Sequence, residues 1–127
     1  MIKLKKKFYI TTAIAYTNAK PHIGFALEVI QADTLARWYR QAGYDVFFLT
    51  GTDEHGVKNY TTAKQQGLPV KKFVTQHANE CKALAKALNS TNDYFIRTSD
   101  KKIHWPGVQK MWTLLEKKGD IYKKKYK

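Results

Sequence analysis

Two short stretches concentrate the residue types that could do chemistry. Pro21-His22-Ile23-Gly24-Phe25 combines a histidine and a glycine, and Asp53-Glu54-His55 sets two carboxylates and a second histidine between Gly51 and Gly56. The first stretch lies where a loop gives way to a helical pattern. Backbone N–H groups of a first helical turn lack partners and sit at the positive end of the helix dipole, so an anion is their natural ligand. His22 adds a side-chain donor toward phosphate, and Gly24, lacking a Cβ, lets a flat base approach the backbone. A plainer reading fits the same residues: His22 caps the helix and Gly24 lets helix and strand pack. The second stretch is of opposite character. A carboxylate beside a phosphate-seeking helix end calls for a cation such as a substrate ammonium, although Asp53 would serve equally to cap a following helix. Each stretch alone is a weak signal; their order and spacing together are strong.

The elements that must position these residues follow from local pattern. Phe8 to Thr12 is aromatic and β-branched, which predicts a strand, and Thr17-Asn18-Ala19-Lys20-Pro21 predicts a loop. From Gly24 to Gln41, Leu27, Ile30, Thr34, Leu35 and Trp38 recur at helical spacing and are expected to face the core, with Glu28, Gln31, Arg37 and Arg40 on the wetter side. Gly43 stops this helix. Residues 45–50 form an apolar run of strand length, expected to be buried on both faces of a parallel sheet, and 51–56 read as a loop. The resulting βαβ unit brings both chemical stretches to the carboxyl edge of the sheet, where open α/β folds bind ligands.

Downstream, residues 57–67 read as a short helix, and Pro69 opens another with an apolar stripe of Phe73, His77, Cys81, Leu84 and Leu88. Residues 94–98 read as a strand, Val108, Met111, Trp112 and Leu115 as a helix ended by Gly119, and Ile121-Tyr122 as the start of a further strand. His77 and Cys81 lie one helical turn apart, but on the apolar stripe and without a third ligand, so they read as packing and not as a metal site. His104 and Trp105 beside Pro106 read as a helix start.

Charge and composition narrow the classes. The 127 residues carry 23 Lys plus Arg against 10 Asp plus Glu, a formal charge of +13, with 43% hydrophobic residues. That supports a folded chain and a polyanion among its partners. The charge is uneven: residues 1–7 hold +4, residues 8–56 hold −2 and residues 57–127 hold +11. The basic surplus thus lies outside the chemical stretches. Cys81 is the single cysteine, which excludes an internal disulfide and any multi-cysteine metal cage from this chain, and a reducing, cytoplasmic setting fits. Lys3 to Lys7 followed by an apolar run imitates a secretory leader, but two threonines interrupt the run, and nothing approaches the ~18 apolar residues of a membrane span.

Several runs bear a family likeness. Tyr9-Ile10-Thr11-Thr12, Tyr16-Thr17-Asn18, Pro21-His22-Ile23-Gly24 and residues 43–56 resemble the start of the methionyl-tRNA synthetases, which are class I aminoacyl-tRNA synthetases; residues 95–100 and 116–122 continue the likeness. The Pro-His-Ile-Gly run is shared with other class I enzymes, whereas Gly-Thr-Asp-Glu-His-Gly is what selects methionine. The resemblance implies an α/β fold: the first half of a Rossmann-like class I synthetase nucleotide-binding domain, a parallel sheet with flanking helices. It implies a basic arm at 1–7, that first half at 8–119, and at 120–127 the truncated start of a connective insertion.

It also implies a two-step ligase in translation. Methionine and ATP, entering with Mg2+, would give methionyl-adenylate and pyrophosphate, and the methionyl group would then pass to tRNA. His22 and Gly24 would bind ATP with Asn18; Asp53 would hold the methionine ammonium; Ala13, Ile14 and Tyr16 would line the methionine pocket. Position 25 belongs to the catalytic motif, where a second histidine is usual and this chain has Phe25, whose ring donates no hydrogen bond. Ala13 stands where a proline is usual. No resident metal site is expected, and the remainder of a synthetase polypeptide is an expected partner, without which the 127-residue piece should be inactive. Two other readings are a non-catalytic basic RNA-binding module, resting on the +11 half and the aromatic-basic residues 122–127, and a class I synthetase for a different amino acid.

Overall fold

The apolar run that begins at Asp45 becomes the spine of the molecule. In the computed structural model, which describes residues 5–125, the elements are β1 (Lys7–Thr11), β2 (Ala15–Tyr16), α1 (Ile23–Gln41), β3 (Asp45–Asp53), α2 (Val57–Gln65), α3 (Val70–Ala87), β4 (Tyr94–Arg97) and α4 (His104–Lys118). Every strand pairs with β3, and every pairing is parallel. Leu49 is in register with Thr11 and with Tyr94, and Thr52 with Ala15 and with Arg97. A residue has two flanks, so β1 and then β2 run along one edge of β3 and β4 along the other.

Between β1 and β2 the chain makes a bulge. Residues 12–14 stand opposite residues 50 and 51, one residue too many. Such an extra residue bends a strand and re-aims its side chains, and bulges gather beside functional sites. Here it carries Ala13 and Ile14.

Strand β3 is longer than its apolar run suggests. Gly51, Thr52 and Asp53 are part of the strand and not of a loop, because β2 and β4 pair with it on both flanks up to that point. The glycine at 51 misleads as a turn signal: a Cβ there would run into the carbonyl of Ile96 on β4, so glycine permits a close strand approach.

Helix α1 buries the opposite side from the one its large residues suggest. Phe25, Val29, Ala32, Asp33 and Ala36 are buried, while Leu27 is 55% and Trp38 59% exposed, with Ile30 and Leu35 also outward. Apolar residues occupy two faces of this helix, and the face with alanines and valine wins because it lets the axis approach the sheet over Phe48, Ile10 and Val46. The helix ends as expected: Gly43 takes φ 84°, and Tyr44 N–H reaches back to Tyr39 O at 3.0 Å.

Helix α3 follows its predicted stripe. Phe73, His77 and Cys81 are buried, and Cys81 and Ala85 pack with Phe25 and Val29 of α1 and with Phe95 of β4. These two helices cover one face of the sheet. The other face is not closed along β1 and β3, where Tyr9 and Phe47 stack at 6.0 Å and stay about half exposed, contrary to the expectation of cover on both sides.

Boundaries elsewhere differ slightly. Helix α2 stops at Gln65 and β4 at Arg97, whereas α4 begins at His104, where His104 and Trp105 read as a helix start. Asp100 supports that start: its carboxylate accepts the N–H of Lys102 and of Ile103, and its carbonyl accepts that of His104. No residue of α4 is buried. Ile121 and Tyr122 do not form a strand, since no neighbouring strand among the described residues offers them a ladder.

Candidate functional site

The carboxyl ends of β1, β3 and β4 point to one edge of the sheet, and the start of α1 lies above it. His22 is the residue that caps α1, with extended backbone (φ −112°, ψ 173°). Its Nδ1 accepts the N–H of Gly24 at 3.0 Å. A backbone amide can only donate, so Nδ1 is unprotonated in the neutral ring and Nε2 carries the hydrogen. Capping and phosphate donation are therefore compatible roles of one imidazole. A Cβ on Gly24 would lie 2.7 Å from His22 Cε1 and 2.9 Å from Nδ1, so glycine at 24 is what lets the ring fold back over the turn. The first turn holds no acidic side chain, which leaves the positive end of the dipole uncancelled.

Asp53 ends β3 in register with Tyr16 of β2. It does not cap α2, whose cap is Gly56. Its carbonyl accepts the N–H of Thr17 and the Nδ2 of Asn59, each at 3.3 Å. Its Oδ1 accepts the N–H of His55 and the hydroxyl of Thr98, again at 3.3 Å each. Oδ2 receives no hydrogen bond among the described residues. Tyr16 is largely exposed, and a Cβ built on Gly56 would stand 3.5 Å from its ring. Tyr16, Asp53 and Gly56 thus border one space.

The bulge is tied to α1. Ala13 N–H donates to Glu28 Oε1 at 2.6 Å, a bond that a proline at 13 has no hydrogen to make. Ile14 is half-buried in the same bulge, and Asn18 is half-buried in the loop that leads to His22. Phe25 stands apart from these: it is 5% exposed and packs on Val29, Cys81 and Ala85 beneath the turn.

Beside Asp53 lies a buried polar cluster. The Glu54 side chain is fully buried, and Arg97 grips it with two bonds, Nε to Oε1 at 2.5 Å and Nη2 to Oε2 at 2.8 Å. Thr52 and Ser99 add hydroxyl donors at 3.0 and 2.6 Å. Burial alone would raise the Glu54 pKa, but the bonds from Arg97, Ser99 and Thr52 together with the Arg97 charge outweigh it and hold the carboxyl below its ordinary range. A cleft of about 670 Å³ opens next to this cluster, lined among others by His55, Lys71, Lys101 and Trp105.

No local sequence pattern singles out Glu28, Glu54, Arg97 or Thr98 for a part in this site. The polar run Arg97-Thr98-Ser99 at the close of a strand is the available signal, since it marks a third carboxyl end at the same edge. His77 and Cys81 do what packing asks. His77 bonds Glu80 at 2.7 Å and packs on Phe73, and burial pushes the Cys81 thiol up to about 11. Trp105 donates Nε1 to Thr98 O at 3.1 Å at the start of α4. Among the described residues no three of His, Cys, Asp and Glu gather as metal ligands, and no helix is long and apolar enough to cross a membrane.

Comparison with known proteins agrees with this geometry. The profile of the family described as tRNA synthetases class I (M) matches residues 8–127. The methionine–tRNA ligase of Thermotoga maritima is 51% identical over 121 residues, covering 95% of this chain and 19% of that protein. That of Brucella suis is 46% identical over 122 residues, covering 96% and 24%. Among solved structures, Mycobacterium tuberculosis methionyl-tRNA synthetase in complex with methionyl-adenylate superposes with a TM-score of 0.89 at 44% identity, over 92% of this chain and 23% of the other. The chain spans at most about a quarter of the length of these curated relatives. A Rossmann-like parallel sheet, a histidine-capped helix at its carboxyl edge and a family profile over nearly every residue lead to one assignment: the chain belongs to the class I (M) tRNA synthetases.

Proposed function

We propose that this chain is the N-terminal portion of a methionine–tRNA ligase, in which it supplies the first half of the active site for methionine activation. The observation that carries this reading is the pairing of opposite electrostatic preferences at one sheet edge. An acid-free helix start with an Nε2–H donor stands at the same carboxyl edge as Asp53, whose Oδ2 takes no hydrogen bond among the described residues. A zwitterionic amino acid meeting ATP needs both.

In this reading the methionine carboxylate oxygen attacks the α-phosphorus of ATP, the bond to the bridging oxygen breaks, and pyrophosphate leaves; Mg2+ entering with ATP would supply charge neutralisation. Methionyl-adenylate then yields its acyl group to the terminal ribose hydroxyl of tRNA, and AMP leaves. No protein nucleophile is required; positioning and charge stabilisation carry the rate. His22 donates to the phosphates, Asn18 shapes their side of the loop, and Gly24 allows the ring of His22 and the adenine to share the helix start. Asp53 takes the ammonium. Ala13 and Ile14, presented by the bulge, and Tyr16 line the space for the side chain.

Phe25 occupies the motif's fourth position without donating, so its contribution to catalysis is to anchor the turn through the core. The remainder of the polypeptide would cover the outward faces of α1 and α4, and the basic surplus beyond residue 57 would face tRNA. A cytoplasmic site of action follows from that substrate. The test is ATP–pyrophosphate exchange by the full-length protein against a panel of amino acids: methionine should drive it, and exchange driven by another amino acid alone would overturn the specificity.

A further inference from the structure

Asp53 is held from every side but one. Thr17 of the β2 edge and Asn59 of α2 fix its carbonyl, and His55 N–H fixes Oδ1 from its own turn. The fourth partner comes from the far edge of the sheet: Thr98, 7% exposed, at the end of β4. Its backbone is itself clamped, with N–H on Thr52 O at 3.2 Å and O receiving Trp105 Nε1 at 3.1 Å. Its hydroxyl oxygen accepts the N–H of Glu54 at 2.8 Å. That bond uses a lone pair and leaves the hydroxyl hydrogen for Asp53 Oδ1 at 3.3 Å.

A carboxylate on two rotatable bonds is costly to hold in one orientation unless something fixes its plane. Two donors on Oδ1 do so, and they turn Oδ2 outward. We propose that Thr98 is a positioning residue for recognition of the substrate's ammonium, acting through Asp53. The inference rests on the reading of Asp53 as the ammonium site and extends it to a residue that touches neither substrate. Its effect should therefore be confined to ligands that carry an ammonium.

The experiment uses the full-length protein and three forms: wild type, Thr98→Val, which keeps shape and removes the hydroxyl, and Thr98→Ser, which restores it. ATP–pyrophosphate exchange gives KM for methionine and for ATP, and inhibition is measured with 4-(methylthio)butanoate, the methionine analogue without its amino group. Thr98→Val should raise the methionine KM about tenfold, the loss expected for one hydrogen bond to a charged group, and leave the ATP KM and the analogue's inhibition constant unchanged. Thr98→Ser should return methionine KM to near wild type.

The proposal is overturned if Thr98→Val matches wild type, if the analogue or ATP weakens in parallel with methionine, or if serine does not rescue. Should Thr98→Val fail to fold, Thr98→Ala takes its place; loss of folding in both assigns Thr98 to stability alone and also overturns it. A wild-type protein inert toward methionine removes the reading of Asp53 and this one together. An active wild type with indifferent variants removes this one only.

Discussion

Nδ1 of His22 accepts the amide hydrogen of Gly24 at 3.0 Å, and the ring lies so close over that residue that a Cβ at 24 would meet it at 2.7 Å. The cap thereby selects the tautomer with hydrogen on Nε2, the form that can donate to phosphate. Under the proposed phosphate role, the contact that caps the helix also sets the hydrogen on the donor nitrogen.

Substituting Gly24→Ala disturbs both at once. The displaced ring gives up the cap, at a cost of about 1 kcal/mol, while alanine suits a helix better than glycine by a similar amount, so the melting temperature of the full-length protein should stay near wild type. The displaced His22 ring should lower the exchange rate by about a hundredfold, the scale seen on losing one transition-state donor. Steady-state exchange with thermal unfolding of the same sample checks both; an unchanged rate would show that the ring's position is not needed.

Phe25 is the converse case, a motif position whose side chain faces the core. Phe25→Ala opens a void among Val29, Cys81 and Ala85 and should destabilise the fold by about 3–5 kcal/mol. Denaturant unfolding of the full-length protein measures this. A loss below about 1 kcal/mol would mean that the turn above does not depend on this anchor.

The Glu54–Arg97 pair makes a pH prediction. The Glu54 carboxyl sits below its ordinary value of 4.5 in the folded protein. A depressed folded pKa means that the unfolded chain binds the proton first, so the pair's contribution is complete above about pH 4.5 and is lost as pH falls through the folded value. Unfolding free energy followed from pH 7 to pH 3 should decline on acidification. Removing one partner of a buried pair is costly, and Arg97→Ala should destabilise by about 3–5 kcal/mol at neutral pH and flatten the acid slope. An acid slope unchanged in Arg97→Ala would exclude Glu54 as its source.

Much of this was legible in the sequence, and the reasons differ by element. The β1–α1–β3 unit, and with it the placing of the α1 start and the β3 end at the carboxyl edge, followed from pattern and the carboxyl-edge rule, which depend on local signals. The inward face of α1 did not. Two apolar stripes on one helix have the same period, and only the sheet's demand for small residues decides between them. Gly51 was read as a turn because a close strand approach and a turn both select glycine, and the neighbour that decides, Ile96, is 45 residues away. Thr98 and Glu28 escaped for the same reason, since their partners at Asp53 and Ala13 are near only after folding.

The outward apolar faces bear on the isolated segment. Leu27, Ile30 and Trp38 on α1, and Met111 and Trp112 on α4, are each close to half exposed or more. Surface of this kind is what interfaces bury. The 127-residue chain alone should show no measurable exchange and should bind a hydrophobic dye, while the full-length protein exchanges and does not. Robust exchange by the segment would contradict the division of the site between it and the rest of the polypeptide.

Asp53 as the proposed ammonium site stands or falls on methionine-dependent ATP–pyrophosphate exchange by full-length Asp53→Ala. The methionine KM should rise about a hundredfold or more, as for a charge-assisted contact removed, with the KM for ATP and the melting temperature close to wild type. A methionine KM that stays at the wild-type value would show that the ammonium binds elsewhere.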